Sequence, residues 1–280
     1  MKRRPNKKIV IYFLLVWLIC AFLLESTDLW ISVSLYNPGA EWAVILEKFG
    51  EIPGLLVALI GAQIYIVTLR SSSNSKKILF TSFLLTTSSL ITIYIFFVLS
   101  NSISGSYNFF NSHENYFFFT AILLNIFITY LSRKHYKFSK KAIIFSRVSF
   151  NMFLYGYIFF VQPLKLFWGR IRFRDLAGNY SHFTAWYLPQ GITGNDSFPS
   201  GHAAMGWILL SLFVFFIDKS FRKRFILKAL IISWAIAVST SRVIIGAHYS
   251  SDVLFASFGM IITYLLVLSY VTKNLKSEFE

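Results

Sequence analysis

Acidic residues are scarce in this chain: 12 Asp and Glu stand against 27 Lys and Arg in 280 residues, a formal net charge of +15. Charge of either sign is also scarce, at 14 %, whereas a soluble domain carries roughly 25 %. That leaves too little charge to cover a water-facing surface. Hydrophobic residues reach 56 % and aromatics 19 %, with a mean hydropathy of +0.60. These values exclude a disordered chain and argue against a soluble nucleic-acid binder, despite a pI near 9.9. Cys20 is the sole cysteine, so no internal disulfide forms. It lies in an apolar run and reads as a buried small hydrophobe. Trp17-Leu18-Ile19 before it lacks the small residues of a lipidation site. There is no repeat and no low-complexity tract. No small-x-small cleavage site follows Met1-Lys2-Arg3-Arg4 and its apolar run, so that run is read as an uncleaved first helix.

Long apolar runs are what the chain does have. A spanning helix needs about 20 mostly apolar residues. Eight segments qualify, at about 9–25, 53–70, 77–100, 116–132, 142–163, 201–217, 226–243 and 252–272. With both termini placed in the cytoplasm and sides alternating, the inner segments hold 21 of the 27 Lys and Arg. The outer segments hold only Lys48, Lys165, Arg170, Arg172, Arg174 and Arg242. This is the asymmetry of the positive-inside rule, and it accounts for the net charge through topology and anionic headgroups rather than nucleic acid.

The outer segments differ from one another. In 26–52, the later half (Trp42, Ile45, Leu46, Phe49) has helical spacing and suits an interfacial helix. Residues 101–115 read as a polar loop. Residues 164–199 carry four of the six outer cations, a clustering that insertion physics does not require.

Three motifs in the second half of the chain carry chemistry. The first is Lys165-Leu-Phe-Trp-Gly-Arg170-Ile-Arg172-Phe-Arg174. Snorkelling side chains at a helix end would explain it. So would an anion clamp, in which guanidinium forks and an ammonium meet phosphate oxygens. The second is Ser197-Phe198-Pro199-Ser200-Gly201-His202-Ala203, at the start of the sixth span. It reads as a Pro-Ser cap with an incidental His, or as an anion site. In the second case free N–H groups of Ser200, Gly201 and His202 point outward with the helix dipole behind them. The third is Ser241-Arg242-Val-Ile-Ile-Gly246-Ala-His248-Tyr249-Ser-Ser-Asp252. His248 and Asp252 share a face if helical, and a carboxylate there holds one imidazole nitrogen protonated and frees the other. Asp252 as a plain helix cap is the other reading. On the eight-span topology all three motifs fall on the outer side.

With these residues the chain resembles the type 2 phosphatidic acid phosphatases, the PAP2 superfamily of membrane lipid phosphatases, which share a site with vanadium haloperoxidases. The family pattern is K-x6-R-P, then P-S-G-H, then S-R-x5-H-x3-D. Lys165 and Arg172 have the first spacing, Pro199-Ser200-Gly201-His202 is complete, and Ser241-Arg242, His248 and Asp252 match the third. Phe173 stands where the family has proline. Many bacterial members have six spans with the first motif after the third; here it follows the fifth. Either two spans are added at the N-terminus or the N-terminal part divides differently.

The resemblance implies an all-α, polytopic transmembrane helix bundle of about eight spans with a PAP2-like catalytic core at 142–272. N-terminal transmembrane segments at 1–141 precede it, and a cytoplasmic tail at 273–280 follows. It implies a phosphatase in which His248 attacks phosphorus, Asp252 orients it, and His202 protonates the leaving oxygen and then activates water. Lys165, Arg172, Arg242 and the N–H groups of Ser200 and Gly201 would hold the phosphate, with Arg170 and Arg174 widening the clamp. No cofactor or metal is implied. Asp28, Glu41, Glu47, Glu51, Glu114, Asp175 and Asp196 show no ligand spacing. Of the remaining histidines, His113 lies off the motifs, His135 reads as solvated, and His182 as a lid or substrate contact. The expected partner is a membrane lipid phosphate within the bilayer, not nucleic acid. The expected location is the cell membrane, multi-pass, with the site on the extracytoplasmic side. Undecaprenyl diphosphate leads the substrates; phosphatidylglycerophosphate, phosphatidate and lipid A are alternatives, as is phosphoryl transfer to an alcohol.

Overall fold

The computed structural model describes residues 7–69, 73–104 and 107–279. Met1-Lys2-Arg3-Arg4 lies outside the described residues, so the reading of that terminus is not addressed. All regular structure among the described residues is helical. The helices are α1 (Lys7–Leu35), α2 (Glu41–Phe49), α3 (Ile52–Thr68), α4 (Asn74–Ser104), α5 (Tyr107–Ser112), α6 (Glu114–His135) and α7 (Lys140–Asn151). A π-helical stretch, Met152–Val161, leads from α7 into α8 (Gln162–Trp168). After a long loop come α9 (Gly201–Ile208) and its 3₁₀ continuation Leu209–Phe216, then α10 (Phe221–Ile244) and α11 (Ser250–Phe279).

Each of the eight expected spans corresponds to a helical segment, with 53–70 and 201–217 running slightly past the helix ends at Thr68 and Phe216. Seven helical segments are long and apolar enough to cross a membrane, and Gly201–Phe216 is a shorter apolar eighth. The first motif lies at the end of the fifth of these segments, Lys140–Asp175. Several boundaries differ from expectation. α11 runs to Phe279, so most of the expected tail at 273–280 is helix. α1 runs to Leu35, ten residues past the expected end, which brings Asp28 inside the helix. Residues 101–115 are not a polar loop: α4 runs to Ser104 and α5 follows. Cys20 is half-buried rather than buried.

Glycines and a proline set the elements that carry the motifs. Pro163 has no N–H to continue the helical ladder, and the π stretch ends just before it. α8 stops at Gly169, whose φ is +60°; a Cβ there would lie 2.2 Å from the Gly191 carbonyl oxygen. α9 starts at Ser200, whose hydroxyl caps the Ala203 N–H at 3.4 Å. α9 is the hub. Its Ala203, Ala204, Met205 and Ile208 are fully buried, among Leu55 of α3, Val148 and Met152 before α8, and Met260 of α11. Gly54 allows α3 to lie directly on the backbone of Met205, since a Cβ would fall 2.2 Å from that carbonyl oxygen. α2 seats Ala43 against Ile245 and Ala247 at the end of α10.

Candidate active site

His248 is not helical. It sits in the turn between α10 and α11, a turn that needs Gly246 at φ +69°. Asp252 lies in the first turn of α11 and accepts the Tyr249 N–H at 2.9 Å, so it does cap the helix. It also faces His248: Oδ2 is 3.5 Å from Nδ1. The nearer partner of Nδ1 is the Ser197 carbonyl oxygen, at 2.5 Å. Nδ1–H donating to that oxygen fixes the tautomer and leaves Nε2 with the lone pair. Ser197 closes the loop by donating its hydroxyl to Asp252 Oδ2 at 2.5 Å. His248 is 2 % exposed. Burial pushes its imidazole down to about 4, against the opposing pull of Asp252.

The expected cations gather at the same end of the bundle. Lys165 of α8 donates to the Asp196 carbonyl oxygen and lies 3.4 Å from its carboxylate; Arg172 bonds the other carboxylate oxygen at 2.7 Å. Burial alone would raise the Asp196 carboxyl, but Lys165 and Arg172 hold it below the usual carboxylate range. Arg242 is 3 % exposed and its Nη2 meets Glu47 at 3.3 Å. Its Nε and Nη1, and Nε of Arg172, are buried with no hydrogen-bond partner among the described residues. Buried guanidinium donors left unpaired are costly, and an anion bound there would satisfy them.

Two expectations need correction. The N–H of Ser200 is not free, because it donates to the Asp252 carbonyl oxygen at 3.1 Å; Ser200 ties α9 to α11 and caps with its hydroxyl. Gly201 and His202 keep first-turn N–H groups, which lack intrahelical acceptors. Arg170 is no part of a surface clamp. It is 1 % exposed and bonds Asp252 at 2.6 Å and Asp28 at 2.9 Å. Arg174 pairs with Glu47 at 2.8 Å.

His202 faces residues that the motifs did not include. Its Nε2 lies 2.9 Å from the Glu47 carbonyl oxygen, and its Nδ1 lies 3.8 Å from Glu51, whose carboxylate takes a hydrogen bond from Tyr94. Glu47 and Glu51 come from α2 and the start of α3, far from the motifs in sequence. Only their place among the few outer acids hinted at a role. His182 is exposed in the loop, and His135 is exposed at the end of α6. Phe173, in the family's proline position, is buried against Tyr36 and Tyr249.

Two histidines, buried carboxylates and guanidinium groups thus lie together at one end of an apolar helix bundle. Residues 146–276 match the family model of the PAP2 superfamily. The match covers a little under half of the chain; by it this part of the chain is similar to that superfamily, and the match together with the apolar helices supports a membrane phosphatase. No curated protein and no solved structure gives a significant match to the chain.

Proposed function

We infer that the protein hydrolyses a lipid phosphate or diphosphate through a phosphohistidine on His248, at the extracytoplasmic face of the cell membrane. The observation that carries this reading is the anchoring of His248 Nδ1 by Ser197 and Asp252, which leaves Nε2 as a nucleophile near buried Arg242, whose Nε and Nη1 have no partner among the described residues. In the first step Nε2 bonds to phosphorus, the bond from phosphorus to the leaving oxygen breaks, and His202, charged once the phosphate's negative charge stands beside it, gives that oxygen its proton. In the second, water adds to phosphorus, its proton goes to His202, and the P–N bond breaks to release inorganic phosphate. Lys165, Arg172, Arg242 and the Gly201 N–H stabilise the charge that spreads over the phosphoryl oxygens. Substrate phosphate displaces Asp196 from Lys165 and Arg172. Because side-chain cations supply the charge, turnover is expected to persist in EDTA.

A lipid substrate is supported by two adjoining cavities. A polar one of about 400 Å³, lined by Glu47, Glu51, Arg174 and His202, meets at Tyr94 an apolar one of about 470 Å³ lined by Leu90, Phe153 and Tyr157. A lipid chain in the apolar cavity would bring its headgroup to the polar one, beside His202 and Arg174. The test compares kcat/KM for undecaprenyl diphosphate, phosphatidylglycerophosphate, phosphatidate and lipid A with that for soluble phosphomonoesters, in mixed micelles. Preference for any of these lipids supports the reading. Preference for the soluble esters leaves a phosphatase but removes the lipid.

A further inference from the structure

Asp28 lies on α1, outside the residues that match the family, yet it is joined to the nucleophile's carboxylate by a chain of buried bonds. Arg170 donates from Nη2 to Asp28 at 2.9 Å, and from Nη1 to Asp252 at 2.6 Å and to the Ser251 hydroxyl at 2.7 Å. Ser251 donates its hydroxyl to Asp28 at 2.5 Å, and its N–H donates to the other Asp28 oxygen at 3.0 Å. Arg170 Nε donates to the Thr184 carbonyl oxygen at 3.0 Å, and its guanidinium stacks 3.8 Å above the Tyr249 ring. The side chains of Asp28, Arg170 and Asp252 are each at most 1 % exposed. Such a cluster is a poor source of stability, because desolvating its charges offsets their attraction, and apolar residues of like volume would serve as well. Its position asks for another role.

We propose that Asp28 is a positioning residue for the phosphotransfer step: through Arg170 and Ser251 it fixes the Asp252 carboxylate against His248. Arg170 alone beside Asp252 would draw the carboxylate's charge to itself. Asp28 balances the guanidinium from its far side, so that Asp252 keeps a net pull on the imidazole. α1 is then part of the catalytic unit, and the region of family resemblance is incomplete without it. The proposal rests on the phosphohistidine reading above. Besides Asp252 from α11, His248 is faced by Lys165 of α8, His202 of α9, Arg242 of α10 and Asp196 of the loop. All of these stay in place in the variants below.

The test uses full-length protein in mixed micelles with undecaprenyl diphosphate and phosphatidate as substrates. Asp28→Asn keeps the shape and removes one negative charge. We expect kcat to fall about 10- to 100-fold, the range for loss of an outer partner of an oriented histidine, with KM little changed. The acid limb of the kcat/KM profile should move to lower pH, because His248 then sees less negative charge. Loosened packing alone would lower the yield of folded enzyme without moving that limb. Ser251→Ala keeps every charge and removes a bridge of two hydrogen bonds, from Arg170 and to Asp28; about a three- to tenfold loss of kcat is expected, on the scale of net hydrogen-bond contributions. Wild-type kcat and pH profile per folded molecule in Asp28→Asn would overturn the proposal. If that variant does not fold, wild-type kcat in Ser251→Ala would overturn it. His248→Ala, run alongside, separates the two readings: activity retained there removes the phosphohistidine mechanism itself.

Discussion

Two guanidinium nitrogens of Arg242, Nε and Nη1, have no partner among the described residues, and that sets the most direct test of the clamp. Arg242→Lys keeps the charge and loses the planar fork. We expect kcat/KM to fall about 10²- to 10³-fold, as for loss of an oriented donor to a transition-state oxygen. A change below threefold in phosphate release would show that Arg242 is only a structural partner of Glu47. His248 sets a second test, through pH. Free imidazole titrates near 6.5, while the folded site holds His248 neutral down to about 4. Between those values the unfolded chain binds a proton that the folded protein refuses. Stability contributed by this group is therefore present above pH 6.5 and lost as pH falls toward 4, on the order of 3 kcal/mol in all. Thermal unfolding of purified protein between pH 7.5 and 4.5 should show this loss, and His248→Gln should reduce it. An equal slope in the variant would place the titration elsewhere. Spacing made His248, Asp252, His202 and Arg242 legible in the sequence, since each motif holds its residues within a few positions. Arg170 was misread because its partner Asp28 lies 142 residues away. Glu47 and Glu51 were hidden for the same reason: local pattern does not say which distant helix will lie alongside.

Among the helices, the junction of α3 with α9 governs the site most directly, because α9 begins with Ser200, Gly201 and His202. Gly54 sits where a methyl group would strike the Met205 carbonyl oxygen. Gly54→Ala must push α3 from α9, costing about 1–3 kcal/mol as overpacking does. It should also lower kcat, since Glu51 and His202 sit on the two helices being parted. Melting temperature and kcat measured together check this; an unchanged melting temperature would mean that the two backbones are not in contact. Elsewhere the bundle is tied by polar pairs. Gln63 of α3 meets Asn125 of α6 at 2.5 Å, Asn125 reaches Thr92 of α4 at 2.9 Å, and Thr129 returns to Gln63 at 2.7 Å. Such bonds hold transmembrane helices together where lipid gives no hydrophobic drive. The apolar runs gave the helices' existence, because length and hydropathy are summed over many residues. They did not give helix ends: α1 carries Glu25 and Asp28 near a membrane boundary and continues through both, a continuation supported by tertiary partners that hydropathy does not see. α5 was missed for a related reason, since its polar residues resemble a loop when read without neighbours.

For the molecule as a whole, the side of the membrane that the site faces decides which leaflet supplies its substrate. The structure brings the ends of α1 and α8, the starts of α3, α9 and α11, and the turn after α10 to one end of the bundle, with the 169–200 loop across them. The basic residues Arg133, Lys134, Lys137, Lys140 and Lys141 cluster instead at the join of α6 and α7. Positive charge is retained in the cytoplasm during insertion, so the proposed topology puts the α6–α7 join inside and the site end outside. Single-cysteine labelling decides this. With Cys20 replaced by Ser, Ser181→Cys in the site loop and Ser139→Cys in the α6–α7 join each offer an exposed thiol on protein that keeps its fold. In intact cells an impermeant maleimide should label position 181 and spare 139, and permeabilised cells should label both. The reverse pattern would place the phosphate clamp in the cytoplasm. The substrate would then present its phosphate on the inner leaflet, and the excess of inner Lys and Arg would have to be explained by something other than topology. Labelling of 181 alone in intact cells would also fix the leaflet: the lipid's phosphate must already stand on the outer face, where Lys165 and Arg172 can take it up from Asp196 without its charge crossing the bilayer.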